Sequence, residues 1–142
     1  DMRADDFLRF GFLYAQEGQW DGVQGIPQSY VAASLNPVGF YGYQWWAMNQ
    51  TYFNRTVSGD IKSAIGLHGQ RILISPRSDI VVVVLTKYRH FANQGYVLNT
   101  QQNFPDTCSA RNNCRSQESA GPEVPSYDLH GLVELIAALG EE

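Results

Sequence analysis

Residues 66–84 leave this chain few ways to fold. Gly66-Leu67-His68-Gly69 leads into a run, residues 70–75, that reads as a strand. Pro76-Arg77-Ser78-Asp79 supplies turn residues, and Ile80-Val81-Val82-Val83-Val84 follows as an almost unbroken β-branched stretch. So short a connection makes the two strands antiparallel neighbours. A strand with no polar face needs cover on both sides. The spacing therefore predicts residues 80–86 as a central strand of a sheet with helices above and below it.

The rest of the chain supplies those helices. Over residues 5–16, Phe7, Phe10, Gly11 and Tyr14 recur at helical spacing, Leu8 and Leu13 widen the stripe, and Asp5 and Asp6 stand near its start. Gly11 inside such a helix costs about 1 kcal/mol relative to Ala, which makes sense if another element passes close to it. Gly18 closes this helix, Trp20-Asp21-Gly22 makes a turn, and Pro27 opens a short helix that Asn36-Pro37 ends.

Residues 41–48 read as one aromatic strand, with Tyr41, Tyr43 and Trp45 on one face and Gln44 and Trp46 on the other. Residues 52–60 read as a polar turn, and residues 63–66 as the approach to the next strand. Periodicity fades from residue 88 to 125, as expected for a long loop or insertion. Ser126 is then the expected cap of a last helix, with Leu129, Leu132, Val133, Ile136 and Leu139 as its apolar stripe. The class this implies is α+β, an antiparallel sheet flanked by helices. The expected organisation is 1–87, 88–125 and 126–142.

With 44% hydrophobic residues among 142, the chain can bury a sizeable core. Its net charge of −4, with no Lys/Arg block interleaved with aromatics, argues against a nucleic-acid partner. No apolar run is long enough for a membrane span, and no signal peptide is visible. Cys108 and Cys114 flank a short polar segment and are expected to form a disulfide, two free thiols being the alternative. Asn49-Gln50-Thr51 and Asn54-Arg55-Thr56 both match the N-glycosylation acceptor pattern. These features lean toward a periplasmic or secreted protein. His90 and His130 read as ordinary structural or surface residues and the three histidines make a poor zinc set, so no metal or other cofactor is expected.

Several motifs occur together and in order: Asp6-Phe7-Leu8-Arg9-Phe10-Gly11, Gly18-Gln19-Trp20-Asp21-Gly22, Pro27, Tyr41-Gly42-Tyr43-Gln44-Trp45-Trp46, Gly66-Leu67-His68-Gly69-Gln70 and Asp79-Ile80-Val81-Val82-Val83. In this combination the chain resembles the serine beta-lactamase-like superfamily, nearest its esterase and 6-aminohexanoate-dimer hydrolase branch, related to class C beta-lactamases. The resemblance covers residues 2–87 and resumes at the last helix. It implies the C-terminal part of a beta-lactamase-like fold, in which a serine of a Ser-x-x-Lys motif is acylated and the acyl-enzyme is hydrolysed.

Under that resemblance, Gly69 and Gln70 stand at the oxyanion strand. The Gln70 backbone N–H would donate to the developing oxyanion, and Gly69 would let the backbone approach the substrate. Leu67 and His68 would line the pocket. Leu67 occupies the place of the lysine in the Lys-Thr-Gly element of many members, which weakens a beta-lactam reading. Tyr43 and Trp45 offer aromatic surface to an acyl or amine group, with core packing as the alternative.

The nucleophile itself is missing. Lys62 and Lys87 are preceded at the required distance by Gly59 and Val84, not by serine. Tyr52-Phe53-Asn54 matches Tyr-x-Asn only literally, because it lies on the wrong side of the aromatic strand. The expected partner is therefore an N-terminal portion of the same protein carrying the Ser-x-x-Lys and tyrosine motifs, and the expected substrate is a small-molecule ester or amide. The alternatives are a beta-lactamase or penicillin-recognising peptidase, and a non-catalytic binding domain that keeps the fold.

Overall fold

A computed structural model describes residues 2–66, 70–85 and 128–140. Helix α1 (Ala4–Ala15) starts where the Arg3 N–H donates to the Asp6 carboxylate at 2.9 Å, with Asp5 and Asp6 in its first turn. It ends where the Gly18 N–H, at a residue with φ +85°, donates to the Leu13 carbonyl. Strands β1 (Gln19–Trp20) and β2 (Val23–Gln24) form a hairpin. Its two-residue turn is left-handed at both Asp21 and Gly22, the residue pair that this turn favours. Helix α2 (Gln28–Leu35) begins just after Pro27.

A five-stranded antiparallel sheet follows, made of β3 (Tyr41–Gly42), β4 (Trp45–Ala47), β5 (Lys62–Ile65), β6 (Arg71–Ser75) and β7 (Ile80–Val84) in sequential order. Helix α3 (Gln50–Phe53) interrupts the strands, and α4 (Leu129–Leu139) closes the described chain. The α+β class with an antiparallel sheet between helices is thus present.

Strict alternation along the strands builds two cores. Leu73, Ile80, Val82 and Val84 face α3 and α4, where Met48, Tyr52, Phe53, Leu129, Val133 and Ile136 are buried. Ile72, Ile74, Val81 and Val83 face α1 and α2, and pack with Tyr14, Val31, Leu35 and Trp45. Full burial of Leu73 and Ile74 contributes about 1.5–3 kcal/mol each. Gly11 explains how α1 comes so close: a Cβ there would stand 2.5 Å from Val81 Cγ1 and 2.9 Å from Ile72 Cγ2.

Five expectations need correction. Residues 41–48 are not one strand but a hairpin, reversed at Tyr43 and Gln44, whose φ values are +50° and +69°. The segment at 62–65 is a full strand rather than an approach, pairing with both β4 and β6. The stretch 52–60, read as a polar turn, opens inside α3, which the Asn49 side chain caps by accepting from the Tyr52 N–H. Among the described residues β7 lies at the end of the sheet, not its centre, although its two apolar faces are both packed by helices. The fifth correction is at the last helix, which is capped by Asp128 accepting from the Gly131 N–H, with Leu139 56% exposed instead of buried. The segment 88–125, Ser126 and both cysteines lie outside the described residues.

Candidate functional site

The two helical faces differ at their edges. On the α1 side, a cleft of about 360 Å³ opens where β6 begins. Its walls are Phe7 from the start of α1, Gln44 from the β3–β4 turn, Ala64 and Ile65 of β5, Ile72 of β6 and Leu85 after β7. Gln70 and Gly66 stand at its rim, joined by a hydrogen bond from the Gly66 N–H to the Gln70 carbonyl at 2.8 Å. A Cβ on Gly66 would lie 3.3 Å from the Gln70 side chain, so a glycine suits this close passage of two strands. Arg71, the buried first residue of β6, also lines the cleft, so its walls are mostly apolar with amide groups and one guanidinium-bearing side chain among them.

The residues expected at a pocket are not all found together. Gln70 lines the cleft, whereas Leu67, His68 and Gly69 lie outside the described residues. Tyr43 is 58% exposed at the hairpin tip, edge-on to Tyr30 at 5.6 Å. Trp45 is only 2% exposed and packs against Tyr14 at 4.9 Å and parallel to Phe10 at 6.4 Å. Its surroundings match the core packing that the sequence left as its alternative role. Phe7, Gln44 and Leu85 were not foreseen at a pocket. Only the helical phase of Phe7 hinted at a role, because Gln44 reaches the cleft through a left-handed turn that no glycine or asparagine announces.

A second cleft, about 450 Å³, opens at the opposite end of the same face. Tyr14, Val31 and Leu35 give it apolar walls, and Glu17, Asp60 and Lys62 supply its charges. Lys62 is nearly buried on β5, and its ammonium donates to Asp60 at 2.5 Å. Pairing is what lets an ammonium sit so deep, since an unpaired buried charge is strongly unfavourable. Glu17 in turn accepts from the Gln28 amide.

The hydroxyls of the buried serines are turned toward main chain or one another: Ser34 donates to the Tyr30 carbonyl, Ser63 to the Ala64 carbonyl and Ser75 to Ser78. His130 is structural, its Nε2–H donating to the Thr56 carbonyl at 3.0 Å with the ring edge-on to Phe53. One turn later Glu134 accepts from the Ser58 N–H at 2.8 Å. That backbone N–H, with the Ser58 hydroxyl, holds the Glu134 carboxyl below its ordinary pKa; desolvation opposes the shift and His130 adds a smaller lowering effect. Among the described residues, no group of three or more His, Cys, Asp or Glu is placed to hold a metal ion, and no helix is long and apolar enough to cross a membrane.

No protein-family model and no curated protein matches the chain.

Proposed function

We propose that this chain is the C-terminal part of a serine hydrolase with a beta-lactamase-like fold, cleaving a carboxylic ester or small amide through an acyl-enzyme. The nucleophilic serine, its lysine and the assisting tyrosine come from an N-terminal portion of the same protein. The chain contributes the strand whose Gln70 N–H faces the oxyanion, and the cleft beside it takes part of the substrate. Leu67 leaves no cation for a substrate carboxylate at that position, which favours this reading over a beta-lactamase. The cysteine pair and the two acceptor sequences lean toward a periplasmic or secreted protein.

The single observation that carries the proposal is the coincidence of Gln70 with the mouth of an apolar cleft at the start of β6, where the sequence resemblance puts the oxyanion strand. A donor of this kind is worth about 3 kcal/mol in the transition state. In the longer protein, Gln70→Pro removes the N–H and is expected to lower kcat about 100- to 1000-fold. Gln70→Ala, which keeps the N–H, is expected to retain most of the activity. Equal losses in the two variants, with melting temperatures unchanged, would overturn the assignment. The specific alternative is a binding domain without chemistry; it is favoured if the longer protein lacks a Ser-x-x-Lys motif.

A further inference from the structure

We infer that Asn54, and not Asn49, is an N-glycosylation site of the folded protein. When the chain is exported past an oligosaccharyltransferase, the soluble product carries one N-linked oligosaccharide, at Asn54. The inference is independent of the hydrolase reading.

The two acceptor sequences lie at opposite ends of the four-residue helix α3, and the structure treats them differently. Asn49 is its N-cap: Oδ1 accepts from the Tyr52 N–H at 3.1 Å, and Nδ2 donates to the Gly39 carbonyl at 3.1 Å. Asn49 is half-buried, and its amide nitrogen points at the turn that leads into β3. A sugar on that nitrogen competes with Gly39 for the same space and displaces the cap. Losing such a cap destabilises a helix end by about 1 kcal/mol before any steric clash is counted.

Asn54 ends the same helix without using its side chain. It is exposed, with φ +55° and ψ +30°, a left-handed geometry that asparagine tolerates better than most residues. Its main-chain N–H donates to the Gln50 carbonyl at 2.7 Å, and its side-chain amide makes no hydrogen bond among the described residues. Thr56, the third residue of the acceptor sequence, is also exposed, and the atom by which His130 holds it is the carbonyl, not the hydroxyl. Among the described residues, an oligosaccharide on Asn54 therefore projects outward and breaks no contact.

The reaction joins Asn54 Nδ2 to the anomeric carbon of a lipid-pyrophosphate-linked oligosaccharide. The carbon–oxygen bond to the pyrophosphate breaks, the lipid pyrophosphate leaves with the electron pair, and Nδ2 gives up one proton. Transfer acts on extended chain, so both sequences are chemically eligible and the fold sorts the products. Chains modified at Asn49 fail to close around α3, while those modified at Asn54 fold normally.

The test is to express the full chain behind a secretion signal in a eukaryotic host and map the soluble secreted protein. Enzymatic removal of N-glycans in heavy-oxygen water converts each occupied asparagine to a labelled aspartate, read by peptide mass spectrometry. Label at Asn54 and none at Asn49 is expected. Thr56→Ala should abolish the glycan with no change in melting temperature, and Thr51→Ala should leave it in place. Label at Asn49 in the soluble fraction, or unlabelled Asn54 there, would overturn the inference.

Discussion

The two faces of the sheet are built from the same strands, yet among the described residues one is closely packed by its helices and the other carries a cleft at each end. Opposite α3 and α4, Leu73 lies within a cluster of buried aromatic and aliphatic side chains. The rim of that face is stitched by His130 to Thr56 and by Glu134 to Ser58. Opposite α1 and α2 the middle is just as tight, with Gly11 in contact with Val81 and Ile72, but a cleft remains at each end. The difference comes from the cover. Helix α1 crosses close to β6 and β7 with a cleft beside its first turn near Gln70, whereas α4 brings leucine, valine and isoleucine down over the opposite face. A closely packed face supplies rigidity; under the proposed function, the cleft near Gln70 is where that rigid sheet would hold a substrate.

The largest effect that would break this comparison is expected at Leu73. Leu73→Ala removes a fully buried side chain from the closely packed face and should destabilise the protein by about 2–5 kcal/mol in denaturant unfolding. A loss below about 1 kcal/mol would mean that this face is not a packed core. Next comes Gly11→Ala, which forces a methyl group into Val81 and Ile72. Overpacking by about 1–3 kcal/mol outweighs the roughly 1 kcal/mol gained in helix propensity, so a net loss of up to about 2 kcal/mol is expected. Val81→Ala in the same chain should recover part of that loss, because it removes the methyl groups nearest the new Cβ.

A smaller change, and of opposite sign, is expected at the cleft near Gln70. Gln44→Gly relieves a left-handed residue in the β3–β4 turn and should stabilise the protein by up to about 1 kcal/mol. It also strips one wall from the Gln70 cleft, so in the longer protein KM for an ester substrate should rise while stability improves. A loss of stability would show that the turn is held by more than its backbone geometry.

The smallest effect concerns pH and sharpens the account of the rim beside α4. Because the folded-state pKa of Glu134 is lowered, its carboxylate adds stability above the unfolded value, and that contribution disappears as pH falls through the carboxylate range, from about 4.3 downward. Wild type should therefore lose stability more steeply than Glu134→Gln over that interval. Unfolding curves at each pH from about 6 down to 3 would show it, and equal slopes in the two proteins would contradict it.

Much of the sheet was written plainly in the chain. Trp20-Asp21-Gly22 announced a turn, which the structure makes a hairpin; Gly11 announced the close approach of another element, which proves to be β6 and β7; and the run at 80–84 announced helices on both of its faces. The second hairpin was hidden because Tyr43 and Gln44 adopt the same left-handed geometry as Asp21 and Gly22 without the residues that make it comfortable. Its aromatic alternation imitates a continuous strand. The buried Lys62–Asp60 pair was hidden for another reason: no local pattern marks a lysine beside a turn as covered, and only the strand order that sets β5 between β4 and β6 buries it. Of the candidate site, Gln70 was visible only through the motif around it. Phe7 and Leu85 meet there because α1 and β7 converge, a long-range relation that local periodicity does not encode.

The central claim is that these residues form one wall of a serine hydrolase whose nucleophile lies upstream. Intact-mass measurement after exposure to a fluorophosphonate tests it most directly, run in parallel on the 142-residue chain and on a longer protein that includes the upstream sequence. The account predicts no adduct on the chain itself and a single adduct on the longer protein, at a serine N-terminal to Asp1. An adduct within these residues, or none on the longer protein, would contradict it.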